Sequence, residues 1–166
     1  HLMDIGHDMS VFNATYENAQ ARERTQILMD LANKTGGLVV GTGDMSEAAL
    51  GWCTYGGDHL SMYSVNRGLT KGLVRAVIAY TADTVENTYV LPPFPHTKEL
   101  AAILRDVLDT PVSPELLPPK EDGSIAQITE DRVGPYELHD FFLWHLVFLG
   151  TRPDTVLWLA EQAFHG

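Results

Sequence analysis

The sequence predicts an α/β chain with few, short parallel strands and mainly helices. Three observations carry that expectation. The apolar run 38–40 leads into a Gly-x-Gly turn that opens a helix, amphipathic stretches recur along the chain, and only two or three segments read as strands. Strand–helix alternation of this kind points to a parallel sheet covered on both faces, for which the strand count is low.

In order, residues 10–14 read as a short strand. Residues 16–34 read as a helix with Ile27, Leu28, Leu31 and Ala32 on one core stripe, ended by Gly36-Gly37. The run Leu38-Val39-Val40 reads as a buried strand, 44–52 as a helix, and 53–69 as an irregular loop rich in Gly, Ser and Asn. A helix over 71–83 has Thr70 as its cap and Leu73, Val74, Val77 and Ile78 facing inward. Pro92, Pro93 and Pro95 break the chain, after which Thr97 caps a helix reaching 108. Residues 111–131 contain four prolines and a Lys-Glu-Asp-Gly turn and read as an extended surface segment. Two helices, 135–149 and 153–164, close the chain, the second opened by a Thr151-x-x-Asp154 box. No internal repeat is present. The stretch 141–149 is apolar on every side, so it is expected to be buried all round or to pack on another chain or segment. With so few strands, the sequence reads as a fragment or as a chain with an obligate partner.

At 166 residues the chain has the length of one domain. Its 22 acidic against 11 basic residues give a net charge of −11, which leaves no electrostatic footprint for nucleic acid. An anionic ligand would need local basic residues. One cysteine, Cys53, excludes an internal disulfide and a Cys-rich zinc site and suits a reducing, cytoplasmic setting. No secretory signal or membrane span is read, because the longest apolar stretch, 141–150, is short and contains His145.

The most informative stretch is 41–55. Gly41 and Gly43 bracket Thr42 where the strand should end, letting the backbone turn sharply and approach a ligand. Asp44 is a good N-cap and Glu47 stands three residues on, the reciprocal capping-box spacing, and anions favour such helix starts. The full six-residue dinucleotide fingerprint is absent, because Ser46 stands where its third glycine would fall. An ordinary strand-to-helix turn satisfies the same spacing.

Other residues have two readings each. Asn18 and Arg22, four apart and opposite the Ile27/Leu28/Leu31 stripe, suit either a clamp on an anionic or amide-bearing ligand or a solvated surface pair. A cation in a first helical turn is electrostatically unfavourable, so Lys71 either meets an anion such as phosphate or is a screened surface lysine. Trp52, Thr54 and Tyr55 present aromatic faces and a hydroxyl suited to stacking on a base or pyridine ring, with core packing as the alternative. Glu47 is the best single magnesium candidate, its other role being the capping box itself. Cys53 reads as a packed thiol. No histidine has zinc-type spacing, and His139 with Asp140 reads as a helix-surface pair.

Taken together, Glu17-Asn18-Ala19-Gln20-Ala21-Arg22-Glu23-Arg24, Gly41-Thr42-Gly43-Asp44-Met45-Ser46-Glu47, Gly51-Trp52-Cys53-Thr54-Tyr55 and Thr70-Lys71 resemble the synthetase domain of NAD synthetase, more closely the glutamine-dependent type. Leu108-Asp109-Thr110-Pro111-Val112-Ser113-Pro114-Glu115-Leu116 and Val133-Gly134-Pro135-Tyr136-Glu137-Leu138-His139-Asp140-Phe141-Phe142 resemble its later segments. The resemblance runs over nearly the whole chain and makes 1–166 part of one such domain. It implies an adenine-nucleotide α-hydrolase-like (Rossmann-like, ATP pyrophosphatase) layer. The reaction it implies is ATP-dependent, magnesium-assisted amidation of nicotinic acid adenine dinucleotide (deamido-NAD) to NAD through an adenylate, with no protein nucleophile.

By position, the resemblance assigns Thr42, Lys71 and Ser113 to ATP, and Asn18, Arg22, Trp52, Cys53, Thr54 and Tyr55 to deamido-NAD. Glu47 carries magnesium in ammonia-dependent relatives and lies against the dinucleotide in glutamine-dependent ones. Ammonia would come from glutamine through a glutaminase domain, in a homo-oligomer. The family's Ser-Gly-Gly-x-Asp-Ser pyrophosphate loop, its glutaminase domain and its basic C-terminal segment are not in this sequence, so the 166 residues alone are expected to be inert. Competing readings are another ATP-pyrophosphatase-type ligase and a non-catalytic helical assembly module with 141–149 as its interface.

Overall fold

The computed structural model describes residues 1–87, 97–113 and 129–164. The proline break at 92–95, most of the 111–131 segment and the capping side chain of Thr97 lie outside the described residues. The chain divides into two compact units, one of residues 1–69 with 113–133, the other of 70–112 with 134–166. Among the described residues the fold is mainly helical with a small parallel sheet of two strands.

In the first unit, helix α1 (Ala14–Thr35) starts where the Asn13 side chain accepts from the Thr15 and Tyr16 amides at 3.0 and 3.2 Å. The strand expected over 10–14 is absent. Asp8 accepts the Ser10 amide on its side chain at 2.9 Å and the Val11 amide on its carbonyl at 3.0 Å, so a local turn takes the first amides that a strand partner would have served. The core stripe expected on α1 is also corrected. Ala21, Thr25 and Ala32 are buried, whereas Ile27, Leu28 and Leu31 are about half exposed. The buried face is the one with small side chains, because the 54–57 turn sits directly on it. A Cβ added at Gly57 would stand 3.1 Å from the Ala21 Cβ and 3.2 Å from the Thr54 Cβ.

Strand β1 (Val40–Gly41) pairs in parallel with β2 (Tyr63–Ser64), in the register Val40 to Tyr63 and Gly41 to Ser64. The expected loop over 53–69 thus contains a strand, and the expected buried strand 38–40 does not hold, since Leu38 and Val40 are more than half exposed. Gly41 is required at the pairing, because a Cβ there would lie 2.7 Å from the Ser61 Cβ. Helix α2 (Met45–Leu50) follows with a complete capping box: the Glu47 amide donates to Asp44 Oδ1 at 2.9 Å, and the Asp44 amide donates to Glu47 Oε2 at 3.1 Å. A short helix, α5 (Glu130–Val133), completes the described part of this unit.

In the second unit, α3 (Lys71–Asn87) packs on α4 (Thr97–Asp109), with Ala82, Val85 and Ala101 buried. The inward stripe expected on α3 is corrected, since Leu73 and Val77 are about half exposed while the later Ala82 and Val85 form the core. Arg75 donates to the Leu108 carbonyl at 2.6 Å, and Arg105 pairs with Asp83 at 3.1 Å. Helix α6 (Tyr136–Leu143) runs into a widened π-type turn over Trp144–Phe148, and α7 (Pro153–Ala163) packs back on it through Val156 and Ala160. The Thr151-x-x-Asp154 box does not form. Arg152 is the N-cap, makes no side-chain cap, and holds Asp154 in an ion pair at 2.9 Å. The apolar stretch 141–149 is not buried all round: Trp144, Leu146, Val147, Phe148 and Leu149 are exposed, which leaves the other expectation, packing on another chain or segment. No helix among the described residues is long and apolar enough to cross a membrane.

Candidate nucleotide-binding site

The first unit folds the 41–55 stretch against α1. After α2 ends, the Trp52 amide donates to the Glu47 carbonyl at 2.9 Å, which turns Trp52 back beside β1. The next three residues are then held from both sides. Thr54 Oγ1 donates to Asn18 Oδ1 at 2.8 Å, and Arg22 Nε donates to the Tyr55 carbonyl at 3.0 Å. Asn18 and Arg22 therefore act as a pair, but toward the 54–55 turn rather than into solvent, one helical turn apart beside the buried Ala21 and Thr25.

The loop is closed by its own side chains. Asp58 Oδ1 accepts the Thr54 amide at 2.7 Å, and His59 Nε2 accepts the Gly56 amide at 2.9 Å. Local capture of turn amides by Asp is the reason the sequence can hold so irregular a segment still.

These contacts enclose a cavity of about 550 Å³. Asn18, Thr42, Trp52, Cys53 and Thr54 share it, together with Val39, Val40 and the turn glycines Gly41 and Gly51. Its size and mixed lining are those of a small-molecule site. The chain is strongly acidic overall, yet this cavity is lined by Arg24 and Arg132 against Glu17 and Asp58. Arg24 was within reach of sequence reasoning, two residues from Arg22. Arg132 was not, because nothing local ties residue 132 to the Gly-Thr-Gly turn.

Glu47 lines a separate space of about 70 Å³ with Cys53, Asp58, His59 and Arg67. Its Oε2 is committed to the capping box. Among the described residues no group of three or more His, Cys, Asp or Glu converges to hold a metal. Glu47 thus stands as a single carboxylate, short of the ligand set that an all-protein magnesium cage needs.

Cys53 is exposed, not packed as the sequence suggested. Even so, partial desolvation of the sulfur, reinforced by the Asp58 charge, pushes its thiol above the usual range, with Arg67 opposing. It is a wall residue rather than a nucleophile. Tyr55 is 85% exposed; its carbonyl accepts from Arg22 and its ring lies 6.0 Å from the His59 ring, outside the core. Ser113 is half-buried in the same unit and lines neither cavity.

Lys71 belongs to the second unit. Its Nζ lies 5.5 Å from the centroid of the Tyr136 ring. Asp140, expected as half of a surface pair with His139, instead accepts from the Thr70 hydroxyl at 2.8 Å and the Gly72 amide at 2.9 Å. The correction has a simple cause, since a helix N-terminus with exposed amides is a better partner for a carboxylate than a neighbouring imidazole on its own helix.

The family profile described as NAD synthase matches residues 4–140, which takes in α1, the Gly-Thr-Gly turn, the 52–55 segment, Lys71 and Asp140. The chain belongs to the NAD synthase family. The glutamine-dependent NAD(+) synthetase of Mycobacterium bovis is 40% identical over 169 residues, covering 99% of this chain and 23% of that protein. The synthetase of the same description from Acinetobacter baylyi is 34% identical over 132 residues, covering 80% of this chain and 21% of that protein. This NAD synthase family chain therefore spans about a quarter of the length of the curated relatives it matches. Among solved structures, NMN synthetase from Francisella tularensis aligns with a TM-score of 0.56 at 22% identity, covering 94% of this chain and 55% of that one, which establishes a shared fold.

Proposed function

We propose that this chain, both units included, is part of the synthetase domain of a glutamine-dependent NAD synthetase. The complete enzyme would convert nicotinic acid adenine dinucleotide to NAD. In that reaction the nicotinate carboxylate attacks the α-phosphate of ATP, the bond to the β-phosphate oxygen breaks, and an acyl adenylate and pyrophosphate form. Ammonia, supplied from glutamine by a glutaminase domain, then adds to the acyl carbon and AMP leaves. Glu47 would hold magnesium, which when bound would supply charge neutralisation at the phosphates. The chain's own residues hold and orient: Thr42, Lys71 and Ser113 toward ATP; Asn18, Arg22, Glu47, Trp52, Cys53, Thr54 and Tyr55 toward the deamido-dinucleotide. The setting is cytoplasmic and the assembly a homo-oligomer.

What supports this reading most is one arrangement. Asn18 and Arg22 hold the Thr54–Tyr55 turn, and a cavity of dinucleotide scale opens between α1, the Gly-Thr-Gly turn and Trp52. Its wall carries Arg24 and Arg132 balanced by Glu17 and Asp58, so in a chain of net charge −11 the cavity has basic groups that can pair with the phosphates of a ligand.

Hydrogen exchange of the chain with and without nicotinic acid adenine dinucleotide tests the reading. Added protection at 18–22 and 52–55 is expected, and protection elsewhere or nowhere contradicts it. A second reading, an assembly module without catalysis, is favoured by the exposed Trp144, Val147 and Phe148. It predicts self-association with no dinucleotide-dependent protection.

A further inference from the structure

We propose that Asp140 is a positioning residue for Lys71, fixing the start of α3 so that the ammonium is held over Tyr136 and presented to the nucleotide. The proposal rests on the reading of Lys71 as an ATP-binding residue.

The motif Gly134-Pro135-Tyr136-Glu137-Leu138-His139-Asp140 lies wholly in the second unit, and the geometry of that unit gives it a role toward Lys71. Asp140 Oδ2 accepts from Thr70 Oγ1 at 2.8 Å and from the Gly72 amide at 2.9 Å, so one carboxylate oxygen grips the chain on both sides of Lys71. Thr70 Oγ1 in turn stands 3.4 Å from the Leu73 amide. The grip leaves no room at position 72, where an added Cβ would overlap Oδ2 and stand 3.3 Å from the Asp140 Cγ. Glycine is needed there for the carboxylate to reach the amide.

Tyr136 precedes Asp140 by four residues on α6, so both lie on the same face of that helix. The ring is 5% exposed and therefore fixed, and Lys71 Nζ lies 5.5 Å from its centroid. One face of α6 thus sets the backbone of Lys71 through Asp140 and the direction of its side chain through Tyr136.

A consequence follows for how an anion is bound. The Gly72 amide at the α3 N-terminus is taken by a protein carboxylate, which also satisfies the positive end of the helix. The Lys71 ammonium is then the group at this point to which the proposal assigns phosphate attraction, with its place set by Asp140.

The test follows the Lys71 side-chain methylene protons of the 166-residue chain by NMR, where the Tyr136 ring current shifts them upfield, together with calorimetric titration with magnesium ATP. Asp140→Ala is expected to collapse the upfield shift and weaken ATP by roughly tenfold, the scale of one hydrogen bond to a charged group. Asp140→Asn, which keeps an acceptor oxygen, should retain most of both. Lys71→Ala should weaken ATP similarly, and the double variant no further, because the two residues act as one. Asp83→Asn, which removes a carboxylate elsewhere in the unit, should leave the shift in place.

An unchanged Lys71 shift in folded Asp140→Ala overturns the proposal, because a carboxylate that only stabilises the helix would leave the ring contact intact. A collapsed shift with ATP affinity the same in wild type, Asp140→Ala and Lys71→Ala overturns the ATP role of Lys71 instead, and the proposal falls with it. Should Asp140→Ala fail to fold, Thr70→Val decides, since it removes one of the two bonds: a reduced shift supports the proposal and an unchanged one overturns it.

Discussion

Arg22 shows how a pair can be legible in the sequence and still be wrongly placed. Its spacing from Asn18 made the two a pair, and the pair exists, but the helix turns it onto the 54–55 backbone instead of outward. The signal that misled was the Ile27/Leu28/Leu31 stripe, which suggested a core on the far side of α1, whereas Ala21, Thr25 and Ala32 are buried. Small side chains give weak hydropathy but allow the closest backbone approach. Cys53 makes the residue-scale prediction. Partial desolvation and the Asp58 charge raise its thiol above the usual range, so the folded protein keeps the proton to higher pH than the unfolded chain does. Alkylation by iodoacetamide should therefore turn on at higher pH in the folded chain than in urea, with stability falling as pH rises between the two midpoints. Equal midpoints, or an earlier one in the folded chain, would contradict the cause assigned to it.

At the scale of elements, helices were legible and their partners were not. The α2 capping box formed as its Asp44/Glu47 spacing required, because both bonds lie within four residues. The Thr151/Asp154 pair has the same spacing and fails, since Arg152 rather than Thr151 is the N-cap of α7 and the Asp154 carboxylate pairs with Arg152. Strand β2 was invisible because Tyr63–Ser64 is two residues long and pairs only across sequence distance with β1. Asp140 was likewise invisible, its partners lying 68 and 70 residues away. Gly57 offers the element-scale test. With 3.1 Å between an added Cβ and the Ala21 Cβ, Gly57→Ala should destabilise the chain by about 1–3 kcal/mol, as overpacking does, and loosen the 54–57 turn from α1. Urea unfolding measures the first, and a loss of less than about 0.5 kcal/mol, the usual range for surface changes, would show that α1 and the turn yield freely.

For the molecule as a whole, family membership was legible because four ordered motifs, each weak alone, fall within the matched 4–140. How the chain uses its apolar surface was not. Trp144, Phe148, Leu157 and Trp158 are all more than half exposed, so a stretch that hydropathy marks for burial is left open among the described residues. Since the chain spans 23% of the Mycobacterium bovis relative and lacks a Ser-Gly-Gly-x-Asp-Ser loop, the 166 residues should form no NAD from ATP, magnesium, ammonium and nicotinic acid adenine dinucleotide. Turnover detected by NAD-specific fluorescence assay would contradict that. The most direct test of the nucleotide site is calorimetric titration of the chain with nicotinic acid adenine dinucleotide, wild type against Arg22→Ala. Saturable binding by the wild type, weakened at least tenfold by the substitution at unchanged helix content, is the predicted result, since one charged hydrogen-bonding group is removed from the turn that shapes the cavity. Equal affinity in the two proteins, or no binding by the wild type, would contradict it.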